Sequence, residues 1–176
     1  MRAHLSLLPS IALLASACAT VGALPDRRVG EAALRTSDGL PAGNVQLVQT
    51  GAQLSLAVAV VGLPAGEHGF HLHTAGSCTA PDFTSAGGHL NPAGKHHGSL
   101  AAGGKHLGDL PNLVVATNRT GSLVVDLEGD AALLLPLIFD ADGTAVVVHA
   151  GPDDYRSDPS GNAGSRIACG ILQQAS

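Results

Sequence analysis

The chain has 176 residues, one domain's worth with room for a leader. Its 23 Gly and 10 Pro, with 13% charged and 2% aromatic residues, argue against long helices and suit short strands joined by turns. A formal net charge of −5 argues against general binding to nucleic acid or to an anionic membrane surface.

At the N-terminus, Arg2 and His4 precede an apolar run from Leu5 to Leu14, followed by Ala15-Ser16-Ala17-Cys18. The run is too short to span a bilayer and has the length of a signal-peptide core, so residues 1–17 read as an export signal. Two processing outcomes fit. Ala15-Ser16-Ala17 is an A-x-A-like cleavage site; with Cys18 behind it, it also resembles a bacterial lipobox, in which Cys18 becomes the lipidated first residue. Ala15 stands where a lipobox usually carries Leu. Removing Arg2 leaves eight basic against 14 acidic residues, a mature net charge of −6. Two further cysteines remain, Cys78 and Cys169. In an oxidising compartment an intramolecular disulfide is their natural pairing, and two buried free thiols are the alternative.

Residues 18–30 read as a linker, with Pro25 and the basic pair Arg27-Arg28, and residues 31–176 as the folded domain. From Gln53 to Val60 the sequence alternates, with Leu54, Leu56, Val58 and Val60 on one face. Asn44–Gln49 and Ser122–Leu127 show the same period, the latter turning Leu123, Val125 and Leu127 inward. Val146–His149 and Ile167–Leu172 are short apolar runs with β-branched residues. Asp38-Gly39, Thr50-Gly51, Asn118–Gly121 and Asp142-Gly143 supply turns between them. No segment outside the leader shows a helical period. The pattern predicts an antiparallel sandwich or barrel. Residues 74–113 and 150–166 are long loops, and loops of that length in a compact domain usually carry function.

Eight histidines lie outside the leader, all between residues 68 and 149. In His68-Gly-Phe-His71-Leu-His73, residues two apart share a face of a strand, so His71 and His73 point the same way. The others are spread at unequal spacings, unlike a low-complexity metal-buffering tract. Imidazole-rich sites suit copper and zinc, and a carboxylate among the ligands leans one site towards zinc.

Five stretches carry a resemblance: His68–His73, Ser85-Ala-Gly-Gly-His89-Leu-Asn-Pro92, His106-Leu-Gly-Asp109-Leu-Pro-Asn112, Val147-Val-His149 and Gly161-Asn-Ala-Gly-Ser-Arg166-Ile-Ala-Cys169-Gly170. In this order they resemble the copper/zinc superoxide dismutases of the bacterial exported branch, from about residue 31 to the C-terminus. The resemblance implies an all-β, antiparallel Greek-key sandwich or barrel of about eight strands with two long functional loops. It implies copper held by His71, His73, His89 and His149, and zinc by His89, His97, His106 and Asp109, with His89 bridging both ions. His68 would brace the copper ligands through hydrogen bonds, and His96 would be a surface neighbour of His97. Asp153 matches a carboxylate that links a copper ligand to a zinc ligand, with Asp154 as the rival.

The implied activity is dismutation of superoxide to dioxygen and hydrogen peroxide. Arg166 would orient the anion beside the copper, held there by a Cys78–Cys169 disulfide, and His89 would take up a proton. Such an enzyme would be periplasmic, touching a membrane only through a lipid at Cys18, as a monomer or homodimer. The competing reading is a copper-delivery or metal-binding module of the same fold, which a missing copper ligand or a missing Arg166 would mark; neither is missing. Two departures stand out. Ser160 and Pro159 replace the Thr and Lys the family carries near the substrate channel, leaving Lys95 and Lys105 as the lysines expected to steer the anion. The loop from Cys78 to His89 is longer than in the eukaryotic enzymes, so the oligomeric state does not carry over.

Overall fold

The computed structural model describes residues 26–175, so the leader and Cys18 lie outside the described residues. Ten strands, β1 (Arg27–Thr36), β2 (Pro41–Thr50), β3 (Gln53–Val61), β4 (Gly66–His68), β5 (Phe70–His73), β6 (Leu113–Val115), β7 (Thr120–Asp126), β8 (Ala145–His149), β9 (Arg166–Ile171) and β10 (Gln173–Gln174), form one antiparallel sheet. Its order is β4-β6-β7-β3-β2-β1-β9-β8-β5, with β10 added beside β1. The two edge strands, β4 and β5, are joined through Gly69 alone, so the sheet rolls up into a nearly closed barrel. β1 begins at Arg27 and takes in residues 27–30, which read as linker in the sequence.

The predicted alternation is what fills the barrel. Leu54, Leu56, Val58 and Val60 are buried from β3, and Val45 and Leu47 face them from β2. Leu123 and Val125 of β7 pack against this core, and Leu127 is buried just beyond it. Each fully buried Leu or Val contributes roughly 1.5–3 kcal/mol over leaving it exposed. At Gly43, where the pairing of β2 with β1 shifts register, φ is 141° and a Cβ would run into the Ala59 carbonyl of β3. That position therefore requires glycine.

One element was not expected. A short helix, α1 (Ala131–Ile138), follows β7. Asp130 caps it by accepting the Ala132 N–H at 2.8 Å, and Ala131, Leu134 and Ile138 turn into the core. Ala131, Leu134 and Ile138 do follow a helical spacing, but all eight residues are apolar, so no polar face marks the period in the sequence.

β5 and β8 are buried on both faces, and this determines where the long loops go. Phe70, Leu72, Val146 and Val148 enter the barrel core. Ala145 and Val147, on the outer face, are covered by Phe83 and Ala86 of the 74–112 loop, beside Cys169 and Cys78. Those two cysteines form a disulfide between residues 91 apart in sequence, with Cα atoms 5.7 Å apart. The bond ties the long loop to β9. Replacing both by serine should cost about 2–5 kcal/mol of stability, read by denaturant unfolding of the pair of proteins.

Candidate metal centre

The free edge of β5 organises the site. β5 pairs with β8 on one side only, and the 74–112 loop runs along the other. Leu90 N donates to Leu72 O at 2.8 Å and Leu72 N donates to Gly108 O at 3.0 Å, while Thr74 N reaches Gly88 O at 2.9 Å. Two bridges result, His73 opposite His89 and His71 opposite Asp109. The outward side chains of β5, the last residue of β8 and the folded-back loop thus converge on one spot, His149 standing opposite Arg166 of β9.

Two groups of donors form there. His71, His73, His89 and His149 each offer one nitrogen, all within 4.8 Å of one another. His89, His97, His106 and Asp109 form the second group, under the same limit. All seven residues are buried. In each imidazole of the first group one nitrogen is committed to the protein: His71 Nε2 to Asp153 Oδ2 at 2.7 Å, His73 Nδ1 to Gly87 O at 2.9 Å, His149 Nδ1 to Gly164 O at 3.0 Å, and His89 Nδ1 to Asp109 Oδ1 at 2.8 Å. Their other nitrogens, His71 Nδ1, His73 Nε2, His89 Nε2 and His149 Nε2, are buried and have no hydrogen-bond partner.

Buried polar atoms are normally satisfied, and four orphaned nitrogens facing one another are the signature of a missing shared partner. In the second group, the Nδ1 atoms of His89, His97 and His106 lie 2.8, 3.1 and 3.1 Å from the single oxygen Asp109 Oδ1. Ligands about 2.0–2.1 Å from a tetrahedral ion stand about 3.3 Å apart, so these spacings are close to the edges of a zinc coordination shell. The donor sets fit the two metals: four imidazoles suit copper, and three imidazoles with a carboxylate suit zinc.

The protonation states agree with that fit. Burial pushes His73 down to about 2, against the carbonyl of Gly87, and the charges of His89, Arg166 and His149 add to the effect. Burial likewise pushes His89 and His149 to about 4, with the Asp109 bond and the Gly164 carbonyl respectively opposing it. Neutral rings keep the lone pairs that a metal needs. Burial works to raise Asp109, but hydrogen bonds from His89 and from the backbone N–H groups of Gly98 and His106 hold it well below the usual carboxylate range.

Around the donors, Asp153 stands between His71 and His97, its second oxygen 3.0 Å from His97 Nε2. Gly161 passes so close that a Cβ there would strike both the Asp153 carboxylate and the His97 ring. Asp154 is exposed and accepts instead from Arg156 N, Ser157 N, Ser157 Oγ and Asn162 Nδ2 of its own loop. His68 meets the His149 carbonyl at 2.8 Å and the Pro64 carbonyl at 2.9 Å, holding the end of β8 against β4. His96 lies at the surface beside Asp158, 2.7 Å away.

Arg166 is fixed by two donations of 2.6 Å, to the carbonyls of Phe83 and Gly87. It lines an open cavity of about 410 Å³ together with His73, His89, His149, Pro159 and Ser160. Lys95 and Lys105 line a different groove, beside His106 and α1, and Lys105 lies 3.1 Å from Glu128. Neither lysine lines the cavity at Arg166. Two polar residues at the site were given no role from the sequence: Asn112, which closes the His106–Asn112 motif, and Tyr155, in a polar loop, both bond to Asp153.

The pH dependence of the metal-free protein follows from the rings. His89 and His149 hold pKa values of about 4 in the fold against 6.5 for the free side chain. Between those values the unfolded chain binds protons that the folded rings refuse, so stability is lost as the pH falls through that window. The melting temperature of the metal-free protein should drop steadily from pH 7 to pH 4, and a flat profile would contradict the burial of these rings.

Comparison with known proteins agrees with this geometry. The family model described as copper/zinc superoxide dismutase (SODC) matches residues 41–172. The chain is similar to superoxide dismutase [Cu-Zn] 2 of Aquifex aeolicus, with 42% identity over 147 residues, 81% of this chain and 85% of the relative. It is 38% identical over 180 residues to the superoxide dismutase [Cu-Zn] of Escherichia coli K12, covering 93% of this chain and 98% of the relative. Among solved structures, a SOD-like protein from Bacillus subtilis superposes with a TM-score of 0.74 at 36% identity, over 81% of this chain and 97% of that one. Ordered motif, barrel and paired donor clusters thus coincide in one chain, which belongs to the copper/zinc superoxide dismutase family.

Proposed function

We propose that the protein is an exported superoxide dismutase in which His71, His73, His89 and His149 hold copper and His89, His97, His106 and Asp109 hold zinc. One observation carries this reading: His89 turns Nδ1 to Asp109 in one donor group and an unpartnered Nε2 into the other. A single imidazole common to both groups joins a redox site to a structural one. Copper, when bound, supplies one-electron redox chemistry, and zinc supplies a fixed charge and shape.

The side chains do the rest. Overall, two superoxide anions and two protons become dioxygen and hydrogen peroxide. Arg166, immobilised by two carbonyls, presents a fixed cation to a small anion entering the cavity beside His73 and His149. His89 Nε2 takes up a proton in one half of the cycle and returns it in the other. Asp153 holds His71 and His97 in one orientation, so the rings do not rotate as the charge at the centre changes.

Loading the protein with copper and zinc should give superoxide removal that His149→Ala abolishes, a loss larger than the roughly 10–100-fold that removal of a bracing partner costs. Arg166→Ala should lower kcat/KM by about tenfold or more while copper content is unchanged. Equal activity in His149→Ala and the parent would overturn the enzyme reading.

Export rests on the leader at 1–17, on the disulfide, which suits an oxidising compartment, and on the bacterial relatives. The domain that begins with β1 is then the catalytic one, in the periplasm, tethered by a lipid at Cys18. Metabolic labelling with a radioactive fatty acid should mark the parent and not Cys18→Ser. An unlabelled parent found soluble in the periplasmic fraction would favour simple cleavage after Ala17.

A further inference from the structure

Four hydrogen bonds close into a ring around Asp153. Its backbone N–H donates to Asn112 Oδ1 at 2.9 Å, and its carbonyl accepts from Asn112 Nδ2 at 3.1 Å. The N–H of Asn112 donates to the hydroxyl of Tyr155 at 2.8 Å, and the N–H of Tyr155 donates to Asp153 Oδ1 at 2.6 Å. The ring joins two loops. Asn112 ends the loop that carries His89, His97, His106 and Asp109, whereas Asp153 and Tyr155 belong to the loop after β8.

Tyr155 occupies an unusual position for its type. Its φ is 61°, a conformation that Gly, Asn and Asp adopt more readily, so backbone geometry alone does not call for tyrosine. Its carbonyl accepts Leu100 N at 3.1 Å, and the backbone passes so close to Gly98 that a Cβ there would collide with it. Gly98 N in turn donates to Asp109 Oδ2 at 2.8 Å. The main chain of Tyr155 is thus packed against the zinc-side loop, and its ring spans to Asn112.

We propose that Tyr155 is a positioning residue for both metal sites: by accepting the Asn112 N–H, its hydroxyl holds the Asn112 amide against Asp153 and so fixes the carboxylate between His71 and His97. The geometry makes this necessary. Asp153 has a short side chain whose two oxygens must reach two different rings, at 2.7 and 3.0 Å. A small shift of its main chain lengthens one bond or the other, because hydrogen bonds weaken steeply outside their preferred distance and angle. The paired bonds from Asn112 prevent that shift only if Asn112 is itself held, and the hydroxyl of Tyr155 is what holds its N–H. This inference rests on the reading of Asp153 as the link between a copper ligand and a zinc ligand.

The test is a double-mutant cycle read as zinc affinity of the metal-free protein, by competition with a chromogenic chelator. Asp153→Asn should weaken zinc by about 10–100-fold and Tyr155→Phe by roughly 3–10-fold, with the double variant no weaker than Asp153→Asn alone. Equal proportional losses in both backgrounds, or unchanged affinity in Tyr155→Phe, would overturn the proposal. A second readout needs only the conservative variant. In the zinc-loaded protein, the Nε2 protons of His71 and His97 should exchange with water faster in Tyr155→Phe, while the Nδ1 protons of His73 and His149 are unchanged. Uniform acceleration of all four would assign Tyr155 to general loop packing instead. Neither readout involves superoxide, so failure here is distinguishable from failure of the dismutase reading.

Discussion

Burying six imidazoles against one another leaves nitrogen lone pairs without partners, and much of the structure is arranged to bear that cost. His71, His73, His89, His97 and His149 each keep one unpartnered nitrogen in the interior. Left alone, such atoms destabilise a fold, because their hydration is lost and nothing replaces it. A bound cation converts the liability into binding free energy, and metal affinity is then part of folding stability. The low pKa values of His73, His89 and His149 belong to the same arrangement, since burial keeps these rings neutral and receptive.

Holding rings in such a state takes rigid supports on their other nitrogens. Carbonyls of Gly87 and Gly164 serve His73 and His149, and carboxylates of Asp109 and Asp153 serve His89, His71 and His97. Those supports sit on loops, which are the least rigid part of most domains. Here the loops are stiffened in three ways. The disulfide ties one of them to β9, the free edge of β5 hydrogen-bonds it along its length, and the Asn112–Tyr155 pair joins it to the other loop. Arg166 benefits from the same stiffening, because both carbonyls that fix its guanidinium belong to the disulfide-tied loop.

Much of the barrel was legible from local pattern. The two-residue period of Gln53–Val60 is repeated in which residues of β3 are buried, and the Thr50-Gly51 turn leads directly into it. Helix α1 was not legible, because all eight of its residues are apolar, so no polar face marks its period, and its burial depends on the barrel end it covers. The start of β1 at Arg27 was equally hidden, since a polar, charged strand beside β2 is stabilised by pairing and not by its own composition.

Local order of residues determined the types of group available: two imidazoles on one face of a strand, a loop rich in histidine, two cysteines far apart, an arginine near the second. Those follow from covalent spacing and strand periodicity, which need no partner to operate. Tertiary structure alone decided how the groups combine. The family resemblance had set His96 apart from His97 and put Asp153 ahead of Asp154; the physical reason for both, and the roles of Asn112 and Tyr155 altogether, lie in loops brought together across the barrel. Lys95 and Lys105 show the same limit, since only the fold shows that they line the groove beside α1 and not the cavity at Arg166. Distances between residues 40 or more apart in sequence are set by packing, and packing is a property of the whole fold.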